Sequence, residues 1–185
     1  MTKPVVKAGD VLLAEPFMLD PNFRRSAVLL CEHNEQGSIG FILNKKLDMK
    51  VDRLIADFPE FDGYAFYGGP VQTDTIHYLH AHGDILEGSV KVCENIYWGG
   101  DFEQLKDHIR NGLITPDSIR FFVGYSGWSE GQLESELEWG SWVVGEMDEI
   151  YLYDLPPEGL WTQIMSDKGN VYSVIAQMPD EMVLN

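Results

Sequence analysis

Short apolar runs broken by turn residues fill the first third of the chain. Val11 to Ala14 follows a Gly9-Asp10 turn signal and reads as a strand. Ser26 to Cys31 is a continuous apolar run, suited to a strand buried on both faces. The polar stretch His33 to Gly37 separates it from a second run, Ile39 to Leu43, and the pair predicts a β-hairpin. Val51 to Phe58 carries Leu54, Ile55 and Phe58 at helical spacing, which predicts a short amphipathic helix ended by Pro59.

Glycine punctuates the middle. Tyr64 to Tyr67 leads into Gly68-Gly69-Pro70, a turn that cannot continue as a helix. Ile76 to His82 and Val90 to Cys93 are further strand candidates. Asp101 and Gln104 form a capping-box signal ahead of Phe102, Leu105 and Ile109, and Asn111-Gly112 supplies the stop. Ile119 to Val123 reads as a strand that enters Gly124-Tyr125-Ser126-Gly127-Trp128, read here as a turn. A second capping-box signal follows, Ser129 with Gln132, with Leu133 and Leu137 on one face and Gly140 as the stop. Trp142 to Val144 and Glu149 to Tyr153 read as strands, and Pro156-Pro157 opens a short helix with Leu160, Trp161 and Ile164. Strands and short helices alternate irregularly, so the fold class is α+β with substantial antiparallel pairing.

Length adds that 185 residues fit one domain, residues 1–185, large enough to fold without disulfides or a metal. No apolar run approaches a membrane span, and the first ten residues lack a secretory signal, so a cytoplasmic protein is expected. Cys31 and Cys93 form no CxxC pair and are expected as buried free thiols. Charge changes the picture more. Acids number 30 and bases 13, for a net charge of -17. Between Arg120 and Lys168 there is no Lys or Arg. Nucleic-acid affinity rests on Lys and Arg neutralising phosphates, so this balance argues against direct DNA or RNA binding. Arg24, Arg25, Lys45, Lys46, Lys50 and Arg53 are candidates for a local basic patch, against the plain reading of solvated charges.

With these segments in place, the chain resembles the AlgH/YqgE-like family over nearly its whole length. The resemblance is carried by Gly9 to Ala14, Asp20-Pro21-Asn22-Phe23-Arg24-Arg25-Ser26, Glu32-His33-Asn34, Gly40 to Asn44 and Tyr67-Gly68-Gly69-Pro70-Val71. Its most specific part is Gly124 to Trp128 with Gly131-Gln132-Leu133-Glu134 and Ser141-Trp142. The family implies an irregular mixed sheet, bifurcated and folded into a pseudo-barrel, with short flanking helices. It brings no accepted catalytic residues, cofactor or substrate. One family name suggests transcriptional regulation, through a proposed role in alginate production. For so acidic a chain, such a role implies a protein partner rather than DNA.

Four constellations bear on chemistry. Ser126 sits among glycines as in a nucleophile elbow, but GxSxG needs glycine where Trp128 stands, and the glycines also suit a tight turn. A hydrolase would pair Ser126 with His33, His77 or His80. His80 and His82 would share a strand face with Cα atoms about 6.5 Å apart, the geometry for a metal pair, while His77 would point away. Glu130, Glu134, Glu136 and Glu138 lie on one expected helix, either a solvated acidic face or a surface for a basic partner protein. Trp128, Trp139, Trp142 and Trp161 serve core packing or, where exposed, interface anchoring. The resulting expectation is a non-catalytic binding or regulatory protein acting through a protein partner. No cofactor is expected. Trp128, Gln132, Glu134, Trp142 and Gly69 are the candidate binding residues.

Overall fold

The computed structural model describes residues 5–169 and 171–179. In chain order it begins with β1 (Asp10–Ala14), β2 (Ala27–Asn34) and β3 (Gly37–Ile42). These three strands pair antiparallel as a meander, with Val11 opposite Leu29 and Leu29 opposite Phe41. The expected hairpin is β2–β3. β10 (Trp142–Glu146) joins the other side of β1 antiparallel, Asp10 opposite Glu146. These strands are apolar on both faces because both are covered. Val11, Leu13, Leu29 and Phe41 face one core with Leu160, Trp161, Ile164 and Met165 of α5 (Leu160–Asp167). Leu12, Ala14, Val28, Leu30 and Ile42 face the other with Leu133 and Leu137 of α3 (Gln132–Glu138). Burying each Leu contributes about 2 kcal/mol, so α3 is held mainly by two side chains on one stripe.

β9 (Ile119–Ser129) is the strand on which the sheet forks. Its last residues pair with β3, Ser126 opposite Gly40 and Ser129 opposite Gly37. Its first half pairs antiparallel with β6 (Val71–His80) and parallel with β5 (Tyr64–Tyr67), whose other neighbour is β4 (Lys46–Lys50). Beyond β6 lie β8 (Ile96–Trp98) and β7 (Val90–Cys93). The bifurcated, mixed sheet expected from the resemblance is present, but it is not closed into a barrel. β10 and β7 end its hydrogen-bonded path.

The helices are short. α1 is Val51–Leu54, one turn, half the expected length. α2 (Phe102–Arg110) has Asp101 as its N-cap, accepting from Gln104 N–H at 2.9 Å. Gln104 does not return the bond: its Oε1 accepts from Glu87 N–H, tying the helix to the preceding loop. Two corrections concern the C-terminal third. Glu149 to Tyr153, expected as a strand, is the helical turn α4 (Ile150–Tyr153), which puts Tyr151 and Leu152 into the α5 core. α6 (Val171–Ala176) had no signal in the apolar spacing. No helix among the described residues is long and apolar enough to cross a membrane.

Candidate functional site

Gly124 to Trp128 is not a turn between a strand and a helix. β9 runs through it to Ser129, and the helix starts only after Gly131, whose φ of 72° makes the actual corner. Of the expected capping box only the return arm forms, Gln132 Oε1 accepting from Ser129 N–H at 3.0 Å. Gly124 bends the strand with a φ of 67°, and a Cβ there would lie 2.5 Å from Gly69 O. The Gly68-Gly69 segment thus lies directly against β9. Ser126 is 0% exposed and its Oγ donates to Gly68 O at 3.0 Å. Gly68 O also accepts from Ile42 N–H at 3.0 Å. The serine therefore ties β3, β9 and the end of β5 together at the fork. Neither the turn that would present a nucleophile nor solvent access to its hydroxyl exists here.

The residues just beyond the fork face a groove. Trp128 and Trp142 lie on β9 and β10, and both indole N–H groups donate to one oxygen of Glu136 on α3, at 2.7 and 3.0 Å. Gln132 Nε2 donates to the other oxygen at 3.3 Å. One helix turn and two strands are thus joined by a single carboxylate. Phe23 packs edge-on to Trp142 with centroids 5.6 Å apart, and Trp128 packs edge-on to Trp142 at 5.8 Å. Phe23 arrives on the Asp20-Pro21-Asn22 loop. That loop is anchored by Tyr67 Oη donating to Asn22 Oδ1 at 2.9 Å and by Lys45 Nζ donating to the Pro21 and Asn22 carbonyls. Together these rings, Asp20, Gln132 and Glu136 line a groove of about 280 Å³. A second depression of about 380 Å³, reached by Glu32, Asn34 and Gln36, shares Gly127 and Trp128 with it.

Three of the five candidate binding residues, Trp128, Gln132 and Trp142, therefore come together. Glu134 does not. It points along α3 to His33 Nε2, 3.5 Å away, while His33 Nδ1 lies 2.7 Å from Ser38 Oγ. Gly69 is buried at the fork and lines neither depression. His80 and His82 lie at the far end of β6. His80 accepts at Nδ1 from His82 N–H (3.0 Å), which leaves Nε2 to donate to Gly99 O at 2.7 Å. His82 Nε2 is 2.6 Å from Ser118 Oγ. Burial lowers the pKa of both, and of His77, which is packed among Phe41, Trp98 and Tyr125. Among the described residues no group of three or more His, Cys, Asp or Glu is placed to hold a metal. Cys31 and Cys93 are free thiols with pKa values raised by burial. The residues of the candidate basic patch are engaged one by one: Lys46 and Lys50 both lie over Tyr64, at 4.2 and 5.9 Å, Lys50 also pairs with Asp62, and Arg25 stacks 4.7 Å from Trp161.

A larger depression, about 720 Å³ between β10 and α5, is elsewhere. Its central polar groups are already engaged: Asp167 accepts from Tyr151 Oη at 2.6 Å and from Gln163, and Lys168 Nζ donates to Val144 O at 2.5 Å. The smaller groove keeps acceptor capacity and aromatic surface in one place, which makes it the better candidate. Phe23 and Asp20 are the members that the sequence did not nominate. They sit over 100 residues upstream in a loop whose turn chemistry says where the chain bends but not what it packs on.

The AlgH-like family profile matches residues 11–173. A UPF0301 protein of Chlorobaculum tepidum is 46% identical over 176 residues, covering 95% of this chain and 94% of that one. The solution structure of the AlgH protein from Pseudomonas aeruginosa is similar with a TM-score of 0.75 and 29% identity, covering 97% of each chain. A crystal structure of a Corynebacterium diphtheriae protein shares the fold, with a TM-score of 0.77, 23% identity and coverage of 96% and 95%.

Proposed function

The chain belongs to the AlgH-like family, and from the geometry of its groove we propose that it is a non-catalytic, cytoplasmic binding protein that docks a basic segment of a partner protein. One observation carries this reading. The wall of the groove formed by Trp128, Gln132, Glu136 and Trp142 comes from the stretch between Arg120 and Lys168, which contains no Lys or Arg. Glu136 and Asp20 beside the half-buried Phe23 ring combine aromatic contact surface with an attraction for positive charge. A regulatory role of the kind the family name suggests then runs through protein contact, because a surface of this sign repels a polyanion.

The test is affinity capture with the wild-type chain and with an E32K/E130K variant. Glu32 lines the depression that adjoins the groove at Trp128, Glu130 follows Trp128 by two residues, and both are exposed. The expected result is a basic protein, identified by mass spectrometry, that binds the wild type again when purified. Its affinity should fall steeply with salt and by about tenfold in the variant, since two charges near Trp128 are reversed. A purified partner that binds both proteins equally, at all salt concentrations, refutes the reading.

A further inference from the structure

We propose that the groove between α3, β10 and the Asp20 loop is a receptor for one arginine guanidinium of the partner, a deeper statement that rests on the docking reading above. Three features specify the ligand. The first is an apolar wall. Trp142 packs edge-on to Phe23 and to Trp128, Phe23 is tilted 31° to Trp128, and of the three rings the half-buried Phe23 is the open one, the indoles being 6% exposed. A guanidinium stacks on an open ring of this kind and, being weakly hydrated, loses less on leaving water than an ammonium does.

The second feature is the arrangement of acceptors. Glu136 has one oxygen filled by two indole N–H groups, while its other oxygen holds only a 3.3 Å contact from Gln132. Asp20 has Oδ1 filled by Asn22 N–H at 2.9 Å, and Oδ2 has no hydrogen bond among the described residues. The groove therefore offers single open oxygens from two separate carboxylates. A planar fork with five N–H donors can reach in two directions at once. A neutral ligand would bring no counter-charge to Glu136, whereas Asp20 already has the Lys45 ammonium nearby.

The third feature is the size and openness of the groove. About 280 Å³ takes one side chain but not a domain, and the groove meets the second depression at Gly127 and Trp128. Gly127 has no side chain to block that saddle. A Cβ there would press on Tyr125 at 3.3 Å and meet Val71 at 3.6 Å, both of which line the second depression. An extended segment can thus place its arginine beside Trp128 and continue over Gly127 toward Glu32.

The indole N–H signals of a ¹⁵N-labelled protein report binding directly. N-acetyl-arginine amide is titrated against N-acetyl-citrulline amide, which has the same shape without charge, and against N-acetyl-lysine amide. The Trp128 and Trp142 signals should move saturably with the arginine compound, and at least about fivefold more weakly with the other two. Trp139, which is 77% exposed, and Trp161, whose N–H is buried against Ala14 O, should stay still. E136Q keeps an acceptor for both indoles and D20N keeps the loop turn, yet each should weaken arginine binding about threefold or more. Equal responses to citrulline or lysine, or unchanged binding in both variants, overturns the proposal. If a basic partner still docks in a salt-dependent way while arginine amide leaves these indoles unmoved, the pocket inference falls and the docking reading stands. If arginine amide binds as expected but no basic partner is found, the docking reading fails alone.

Discussion

Replacing Glu136 by Leu should destabilise the protein far more than replacing it by Gln. Trp128 and Trp142 are each 6% exposed, and both N–H groups end on one Glu136 oxygen. Leu has helix propensity close to that of Glu, so α3 itself loses little. No acid lies four residues before or after position 136, where the chain has Gln132 and Gly140, so no local charge repulsion is relieved. What remains is the loss of two hydrogen bonds to a charged acceptor, about 1.5–3 kcal/mol each, with two buried donors left unmatched. The two bonds share an oxygen and are not independent, so about 3 kcal/mol is the expected total. Gln supplies a neutral acceptor at the same position and should cost about 1 kcal/mol. Urea unfolding followed by far-ultraviolet circular dichroism measures both. With a slope of about 2 kcal/mol per molar urea, the Leu midpoint should fall by about 1.5 M and the Gln midpoint by about 0.5 M. Equal midpoints for the two variants, or a Leu variant within about 0.5 kcal/mol of wild type, would show that water satisfies the indoles and that the carboxylate is not the tie between α3, β9 and β10.

Further outcomes follow from the fork and from the buried histidines. Ser126→Ala should lose about 1 kcal/mol in the same unfolding assay, and a fluorophosphonate reagent should label neither protein; stoichiometric labelling abolished by the substitution would restore the serine as a nucleophile. Gly69→Ala should cost about 3 kcal/mol or more, or fail to fold, because a Cβ would overlap the Tyr125 carbonyl and Ser126 N at a φ of 152°; a soluble variant with a wild-type amide spectrum and midpoint would contradict the close approach. Burial holds His77, His80 and His82 below the ordinary 6.5. The stability linked to their neutral forms is complete above pH 6.5 and is lost as pH falls through the folded-state values, by up to about 1.4 kcal/mol per pH unit for each histidine. Protonating carboxylates on this acidic chain acts in the opposite direction, so the informative quantity is a difference. The urea midpoint of His80→Gln should fall less steeply than that of wild type between pH 6.5 and 5, and parallel curves would count against the burial argument.

How much of this was legible in the sequence depends on the range of the interaction. The β2–β3 hairpin, the start and stop of α2 and the apolar stripe of α3 were readable, because runs, caps and spacing are local. Glu149 to Tyr153 misled because Ile150 to Tyr153 is a short run of β-branched and aromatic residues of the kind strands favour, yet Ile150 N–H bonds to the Asp148 side chain and Tyr151 and Leu152 turn together into the α5 core. Ser126 misled for a different reason. Its glycine neighbours suit a turn by sequence, but Gly124 serves a bend in mid-strand and Gly127 a flat crossing beside Tyr125. The need for Gly124 arises from the Gly68-Gly69 segment, more than 50 residues away. The groove was half readable. Its tryptophans and α3 stood out, while Phe23 and Asp20 are joined to them only by tertiary packing.

The pairing of β1 with β10 places Asp10 opposite Glu146. During synthesis the ribosome must deliver more than three-quarters of the chain before the first strand finds that neighbour. β3 likewise waits for the end of β9, Gly37 for Ser129. Contacts of such separation make folding slow and leave apolar edges bare meanwhile. A product truncated before Trp142 lacks one of the two strand neighbours of β1 and the second indole on Glu136.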